Sequence, residues 1–330
     1  MLRYALLIPL ALTFACKSDD DTDGTDDTDT DTDTDTEPGQ TIVELAAATP
    51  RFSILVDAVT KAGLAGALDD VTVFAPNNDA FEALFDALGV DGVDDLSVDQ
   101  LTPILTYHVV DGLVDAAAAT GIAEGSGTAQ SLGGTLNLTL SGSSLKVDDA
   151  TVIGADILAS NGIIHEINAV LVPDLVDVIT TDASLSTLTS AVLAADGSSA
   201  MPDLVGTLSG AGPFTVLAPT NDAFATVLTE NDLADLGALV TAVGIDTVID
   251  ILTYHVASGS FPSTTVVGVS SFSTLGGTVT VTLDGTNVIL NDGLPGWVDG
   301  VNTATVTVVD ILTSNGIIHK INKVITPSPT

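Results

Sequence analysis

The sequence predicts an α+β architecture, built twice along one chain of 330 residues. Three observations carry this. Long segments recur in the same order in the two halves. The first part of each copy places apolar residues at helical spacing, and the second part alternates apolar and polar residues between turn signals. "VTVFAPNNDAF" at Val71–Phe81 returns as "FTVLAPTNDAF" at Phe214–Phe224, and "ILTYHVV" at Ile104–Val110 returns as "ILTYHVA" at Ile251–Ala257. "DILASNGIIHEINAVLVP" at Asp156–Pro173 returns as "DILTSNGIIHKINKVITP" at Asp310–Pro327. The separation between copies grows along the chain, so the second copy carries insertions, at "ADGSSAMP" and "NDGLPGWVDG". The spacing far exceeds the ~20–50 residues of a solenoid repeat. Two homologous domains follow, 40–173 and 174–327. With almost no linker at Pro173, they should pack end to end in a fixed relation.

Residues 1–15 read as a signal peptide. Arg3 supplies the positive end, and "ALLIPLALTFA" (Ala5–Ala15) is an apolar run too short to span a bilayer. Cys16 follows directly. Its position after the apolar run resembles a bacterial lipobox, although Thr13 stands where that motif usually has leucine. The resemblance implies that Cys16 is lipidated. As the only cysteine in the chain, it leaves no internal disulfide and no thiolate zinc cluster. Residues 16–39 then form an acidic leash: Asp19 to Glu37 holds ten aspartates, one glutamate and no base. Such a segment buries nothing, repels itself and should be disordered. Asp19, Asp21, Asp23 and Gly24 match the opening of an EF-hand loop, but Thr30 occupies the position of the bidentate glutamate, so no defined metal site is expected.

Within the first copy, "FSILVDAVTKAGL" (Phe52–Leu64) predicts a helix with a glycine near its end. "VTVFAP" is a short buried strand stopped by Pro76. Asn77 or Asn78, and Thr220 or Asn221 in the second copy, can cap the helix that begins "DAFEALFDAL". Ser97 and Gln100 form a capping box ahead of "LTPILTYH", with Pro103 expected to delay the helix start. "GGTLNLTLSGSSLKVDDATVIGADIL" (Gly133–Leu158) predicts antiparallel strands. In "GIIHEIN" as a strand, Ile163, His165 and Ile167 share one face, which is a core face, and Ile164, Glu166 and Asn168 share the other.

The chain holds four histidines, and two of them, His165 and His319, sit in the repeated hexapeptide "SNGIIH". The other two lie on apolar helical stripes: His108 with Leu101, Ile104 and Leu105, and His255 with Val248, Ile251 and Leu252. All four are expected to be buried, hydrogen-bonded structural groups. No nucleophile elbow, zinc-protease pair, phosphate loop or dinucleotide fingerprint is present, and no carboxylate pair is marked out. The chain is therefore expected to be no enzyme and to need no cofactor or metal. Forty-four acids against seven bases give a formal net charge of −37. That excludes nucleic acid as a partner and repels anionic lipid, leaving a lipid anchor as the membrane contact.

"TVFAPNNDAF", "LTYHVV" and "SNGIIHEINAVLVP", in that order and twice, resemble the fasciclin domain over nearly all of the chain beyond the leash. The resemblance implies tandem wedge-shaped β-sandwiches with flanking helices, displayed as extracellular adhesion modules. It also marks candidate binding residues: the Tyr-His pairs Tyr107–His108 and Tyr254–His255, and the Asp-Ile pairs Asp156–Ile157 and Asp310–Ile311. The other reading of each pair is maintenance of the fold. The expected function is a lipid-anchored protein at the bacterial cell surface or in the periplasm, adhering to other cells, extracellular protein, matrix or polysaccharide. The alternative is a module that binds a small apolar ligand, a lipid or sterol, inside the wedge. Trp297 is the only tryptophan, which weighs against a sugar-stacking lectin.

Overall fold

The computed structural model of the chain describes residues 39–196, 198, 203–291 and 303–327. The signal peptide, Cys16 and all of the leash but Gly39 lie outside the described residues, as do parts of both insertions and Trp297. Domain 1 runs α1 (Ile42–Ala47), α2 (Ser53–Ala62), β1 (Val71–Pro76), α3 (Asn78–Leu88), α4 (Val98–Tyr107), β2 (Val109–Asp111), α5 (Ala116–Glu124), β3 (Thr128–Ser131), β4 (Gly134–Ser141), β5 (Ser144–Val147), β6 (Ala150–Ala159) and β7 (Gly162–Ile167). Domain 2 repeats the plan with α6 (Leu175–Thr181), α7 (Ser186–Asp196), α8 (Leu204–Leu208), β8 (Phe214–Pro219), α9 (Asn221–Glu230), α10 (Leu236–Val243) and α11 (Ile245–Tyr254). It ends with β9 (Val256–Ser258), α12 (Ser263–Val266), β10 (Ser271–Thr274), β11 (Gly277–Asp284), β12 (Asn287–Leu290), β13 (Ala304–Thr313) and β14 (Gly316–Ile321).

The strands are antiparallel except where the last returns beside the first, β7 along β1 and β14 along β8. In domain 1 the ring β1 to β7 closes, with β2 and β3 joined at the single pair Val110–Ser131. In domain 2 the order is β10-β11-β12-β13-β14-β8-β9, and the ends meet where the Leu275 N–H donates to the Val256 carbonyl at 2.7 Å. The wedge is one sheet folded over, with its weakest seam there.

Local chemistry sets the helices. The Asn77 side chain caps α3 by accepting from the Ala80 N–H, and Thr220 caps α9 in the same way. The box of Ser97 and Gln100 forms as expected, but Pro103 does not delay the start: α4 begins at Val98 and carries the proline inside it. The box fixes the first turn before the proline is reached.

Each domain has two cores, one on either side of its parallel strand pair, β1–β7 in domain 1 and β8–β14 in domain 2. Val73, Ala75 and Ile164 face the helices, with Phe52, Phe81 and Leu101. Phe74 and Ile167 face the interior of the ring, with Tyr107, Leu136 and Val147. Strands covered on both faces read as near-continuous apolar runs, and β1 and β7 depart from that only at Thr72, His165 and Glu166. The second face of β7 is therefore as buried as the first, Ile164 and even Glu166 included.

The two domains belong to one compact unit. The start of α6 meets β4, where the Thr135 N–H donates to Asp177 Oδ1 at 3.1 Å. The Gln100 side chain donates to the Asp310 carbonyl at 3.0 Å. Lys320 reaches Asp182 at 2.7 Å and, across the boundary, Asp99 at 3.4 Å. No single described helix is long and apolar enough to cross a membrane.

Candidate functional site

The hexapeptide "SNGIIH" is a set of internal ties. The Ser160 N–H donates to the Gln40 carbonyl and the Ser314 N–H to the Pro173 carbonyl. Asn161 Oδ1 accepts from the Ile42 N–H at 2.8 Å, and Asn315 Oδ1 from the Leu175 N–H at 3.0 Å, so each asparagine fastens its domain's opening helix. Their amide groups reach the carbonyls of Leu68, and of Leu208 and Gly210. Gly162 and Gly316 lie against the carbonyls of Val71 and Phe214, leaving no space for a Cβ. Ile164 and Ile318 enter the helical cores.

The histidine completes the set. Pairing between β6 and β7 slips between Gly154 and Ile157, and between β13 and β14 it slips between Val308 and Ile311. At each slip the aspartate is left-handed, with φ of 57° at Asp156 and 58° at Asp310. A bulge of this kind orphans backbone groups. His165 Nδ1 accepts the Asp156 N–H at 3.2 Å, and its Nε2–H donates to the Val114 carbonyl at 2.8 Å. His319 does the same for Asp310 and Phe261, at 3.1 and 2.8 Å. Burial holds the His319 ring below the usual imidazole range, and the Asp310 charge opposes that shift. Replacing His165 by alanine is expected to leave the Asp156 N–H and the Val114 carbonyl without their partner and cost ~1–3 kcal/mol. Urea unfolding of the full chain reads this out, and a variant as stable as the parent with altered binding would reverse the assignment.

The Tyr-His pairs also face inward. His108 and His255 are almost wholly buried. The Nδ1–H of His108 donates to the Ile104 carbonyl at 2.8 Å, and Nε2 accepts the Leu171 N–H at 2.9 Å. His255 ties Ile251 to Ile325 at 2.7 and 3.2 Å. Each ring thus joins the end of a helix to the segment after the last strand. Burial pushes both rings down to about 4. The Tyr107 hydroxyl lies 2.9 Å from the Thr135 carbonyl and 3.1 Å from Asp148 Oδ2. The Tyr254 hydroxyl donates to the Thr278 carbonyl at 2.7 Å and accepts from the Asn291 amide at 3.1 Å. Burial first, then the nearby Asp148 charge, raises the Tyr107 phenol; burial raises that of Tyr254, against the Asn291 hydrogen bond.

The Asp-Ile pairs are split between surface and core. Asp156 is exposed, yet its carboxylate accepts from the Ala116 N–H at 2.8 Å, at the start of α5. Asp310 accepts from the Ser263 N–H at 2.8 Å and from its hydroxyl, at the start of α12. Ile157 packs against the helical core, and Ile311 is fully buried. Neither pair projects as a unit.

The structure brings together residues that the sequence reading did not join. An open groove of about 920 Å³ runs between the domains, lined by Tyr107, Asp148, Asp174, Asp177 and Asn315. Burial pushes the Asp177 carboxyl up to about 6, with the Asp174 charge adding to the rise, while the Thr135 hydrogen bond opposes it. No cluster of three or more metal-ligating side chains forms among the described residues. Only the exchange of Glu166 for Lys320 between the repeats signalled that this boundary carries specific charge.

Two copies of one α+β unit, each closed by a parallel strand and tied by inward-facing histidines, define a tandem module. The fasciclin domain model matches residues 50–173 and 184–327, and the chain belongs to that family. It is 43% identical over 143 residues to protein sll1483 of Synechocystis, covering 42% of this chain and 77% of that protein. It is 36% identical over 154 residues to sll1735 of the same organism, covering 46% of this chain and 97% of that protein. A match to transforming growth factor-beta-induced protein ig-h3 of Sus scrofa, 36% identical over 143 residues, covers 41% of this chain and 20% of that longer protein. Among solved structures, a FAS1 domain pair from the insect cell adhesion molecule fasciclin I matches at 17% identity, covering 86% of this chain and 96% of that one, with a TM-score of 0.39.

Proposed function

We propose that this chain is an exported, lipid-anchored adhesion protein. Its two fasciclin domains would engage other cells, extracellular protein, matrix or polysaccharide through their outer surfaces, without catalysis. Fasciclin domains occur in cell adhesion proteins and in secreted or cell-surface proteins. The observation that carries the reading is the inward orientation of the histidines and tyrosines. Their polar atoms are consumed by internal hydrogen bonds in both domains, so contact falls to the exterior. Many copies on one membrane, two domains each, turn modest affinity into avidity. Cys16 supplies the anchor and the acidic segment the spacing.

The alternative ligand finds little room. The apolar cavity of domain 1, lined by residues including Ile42, Leu55, Val59 and Leu105, measures about 70 Å³. Pockets for drug-sized ligands run to ~300–1,000 Å³.

The test is cell aggregation with residues 40–327 deleted and residues 1–39 kept. Loss of aggregation is expected, and Cys16→Ser should release the protein from the membrane fraction and weaken aggregation likewise. Aggregation that survives the deletion would overturn the proposal.

A further inference from the structure

The contact that joins the two domains is heterologous: it uses one face of domain 1 and a different face of domain 2. Call these head and tail. The head of domain 1 presents Val98, Asp99 and Gln100 at the start of α4, with Leu132 beside them. The tail of domain 2 presents Val178, Thr181, Asp182 and Lys320. Because the domains are copies, the chain also carries a second head, on domain 2, and a second tail, on domain 1. Neither is covered among the described residues.

The uncovered faces keep the features that make the covered pair fit. Asp246 occupies the place of Asp99 at the start of α11, and Leu275 that of Leu132; Asp246 is exposed and Leu275 is 46% exposed. Asp250 stands where the first head has Pro103, adding a second acid. On the tails, the cation has moved without being lost. Lys320 on β14 is held by Asp182, whereas the matching strand position in domain 1 is an acid, Glu166, which holds Arg51 at 2.8 Å. Beyond residue 38 the chain has only five bases, Arg51, Lys61, Lys146, Lys320 and Lys323, so a cation on each tail is not a matter of abundance. Exposure follows the same logic. The Lys320 side chain is 9% exposed under its head, and Arg51 is 54% exposed with none. Leu158 is 72% exposed, while its counterpart Leu312 is half-buried beside the interdomain groove.

We propose that the chain associates with a second copy of itself head to tail, the α11 face of domain 2 docking on the α1 and β6–β7 face of domain 1. Each junction between chains then repeats the junction within a chain. Repeated, such a contact gives an open run of domains unless its rotation closes a ring. Within one chain the partner is tethered; between chains it is free, so association is concentration-dependent and is favoured by the high local concentration of a surface. The strong net negative charge opposes it, and salt that screens that repulsion favours it. The inference is independent of the adhesion reading: a chain that polymerises without joining cells satisfies the first and refutes the second.

The experiment uses the full chain with Cys16→Ser, which cannot be acylated. Sedimentation velocity at raised salt should show a mass that climbs with concentration beyond a dimer. Asp246→Lys should shift the midpoint roughly tenfold upward. In the same background, Ala48→Cys with Leu275→Cys should give a ladder of oligomers with a short bismaleimide, and either cysteine alone should give none. A monomer at every concentration overturns the proposal, including one whose own acidic segment covers Arg51. So does association that ignores Asp246→Lys, or equal cross-linking by the single-cysteine chains.

Discussion

Lowering the pH from 6.5 to 4 is expected to remove about 6 kcal/mol of folding stability through His108 and His255, about 3 from each ring. Both are fully enclosed, each held neutral between a helical carbonyl and a strand-following N–H, and burial pushes both down to about 4. In the unfolded chain each titrates near 6.5. Between those values the unfolded state binds more protons, so the contribution is complete above pH 6.5 and falls steadily to pH 4. Asp177 works the other way. Its folded carboxyl is raised to about 6, so protonation below that pH favours the fold, but it is half open to solvent and its effect is correspondingly screened. The measurement is urea unfolding across this range, compared between the parent and His108→Gln. The variant should be less stable at pH 7.5, and its loss on acidification should be shallower by about 3 kcal/mol. Parallel curves would show that His108 does not titrate as an enclosed ring.

Gly316→Ala is expected to cost roughly 3 kcal/mol or more, with Gly162→Ala similar in domain 1. The added methyl would press on the Phe214 carbonyl, or the Val71 carbonyl, where the closing parallel strand begins. Neither backbone can retreat without breaking the β14–β8 or β7–β1 register, which runs the full length of both strands. Ser314→Ala, two residues away on an exposed side chain, should stay within ~0.5 kcal/mol, since its tie to Pro173 is made by the backbone. Thermal unfolding of the two variants decides it, and a Gly316→Ala chain melting with the parent would contradict the close approach.

Much of this fold can be read from residues alone, because the duplication doubles every signal. The capping residues Asn77, Thr220 and Ser97 act locally, and local chemistry is visible in a sequence. The strand pattern of β4 and β5 follows from one wet and one dry face. Where a feature depends on what comes to lie opposite, the sequence is silent. Pro103 suggests a late helix start, yet the capping box ahead of it prevails. The second face of β7 is buried only because the helices pack over it. That His165 serves a bulge depends on the positive φ of Asp156, which no residue type dictates. The Asp-Ile and Tyr-His pairs stand together in the chain, but the structure divides the first between surface and core and turns the second inward. The exchange of Glu166 for Lys320 was in plain view, and its meaning came only from Asp99 and Asp182 beside it.

The central claim is that four imidazoles serve as internal braces in two matched sets, and nitrogen NMR of the ring tautomers at neutral pH tests it most directly. His108 and His255 should carry their proton on Nδ1 and His165 and His319 on Nε2, each locked as a single form. Averaged tautomers, as rings open to water show, would contradict it.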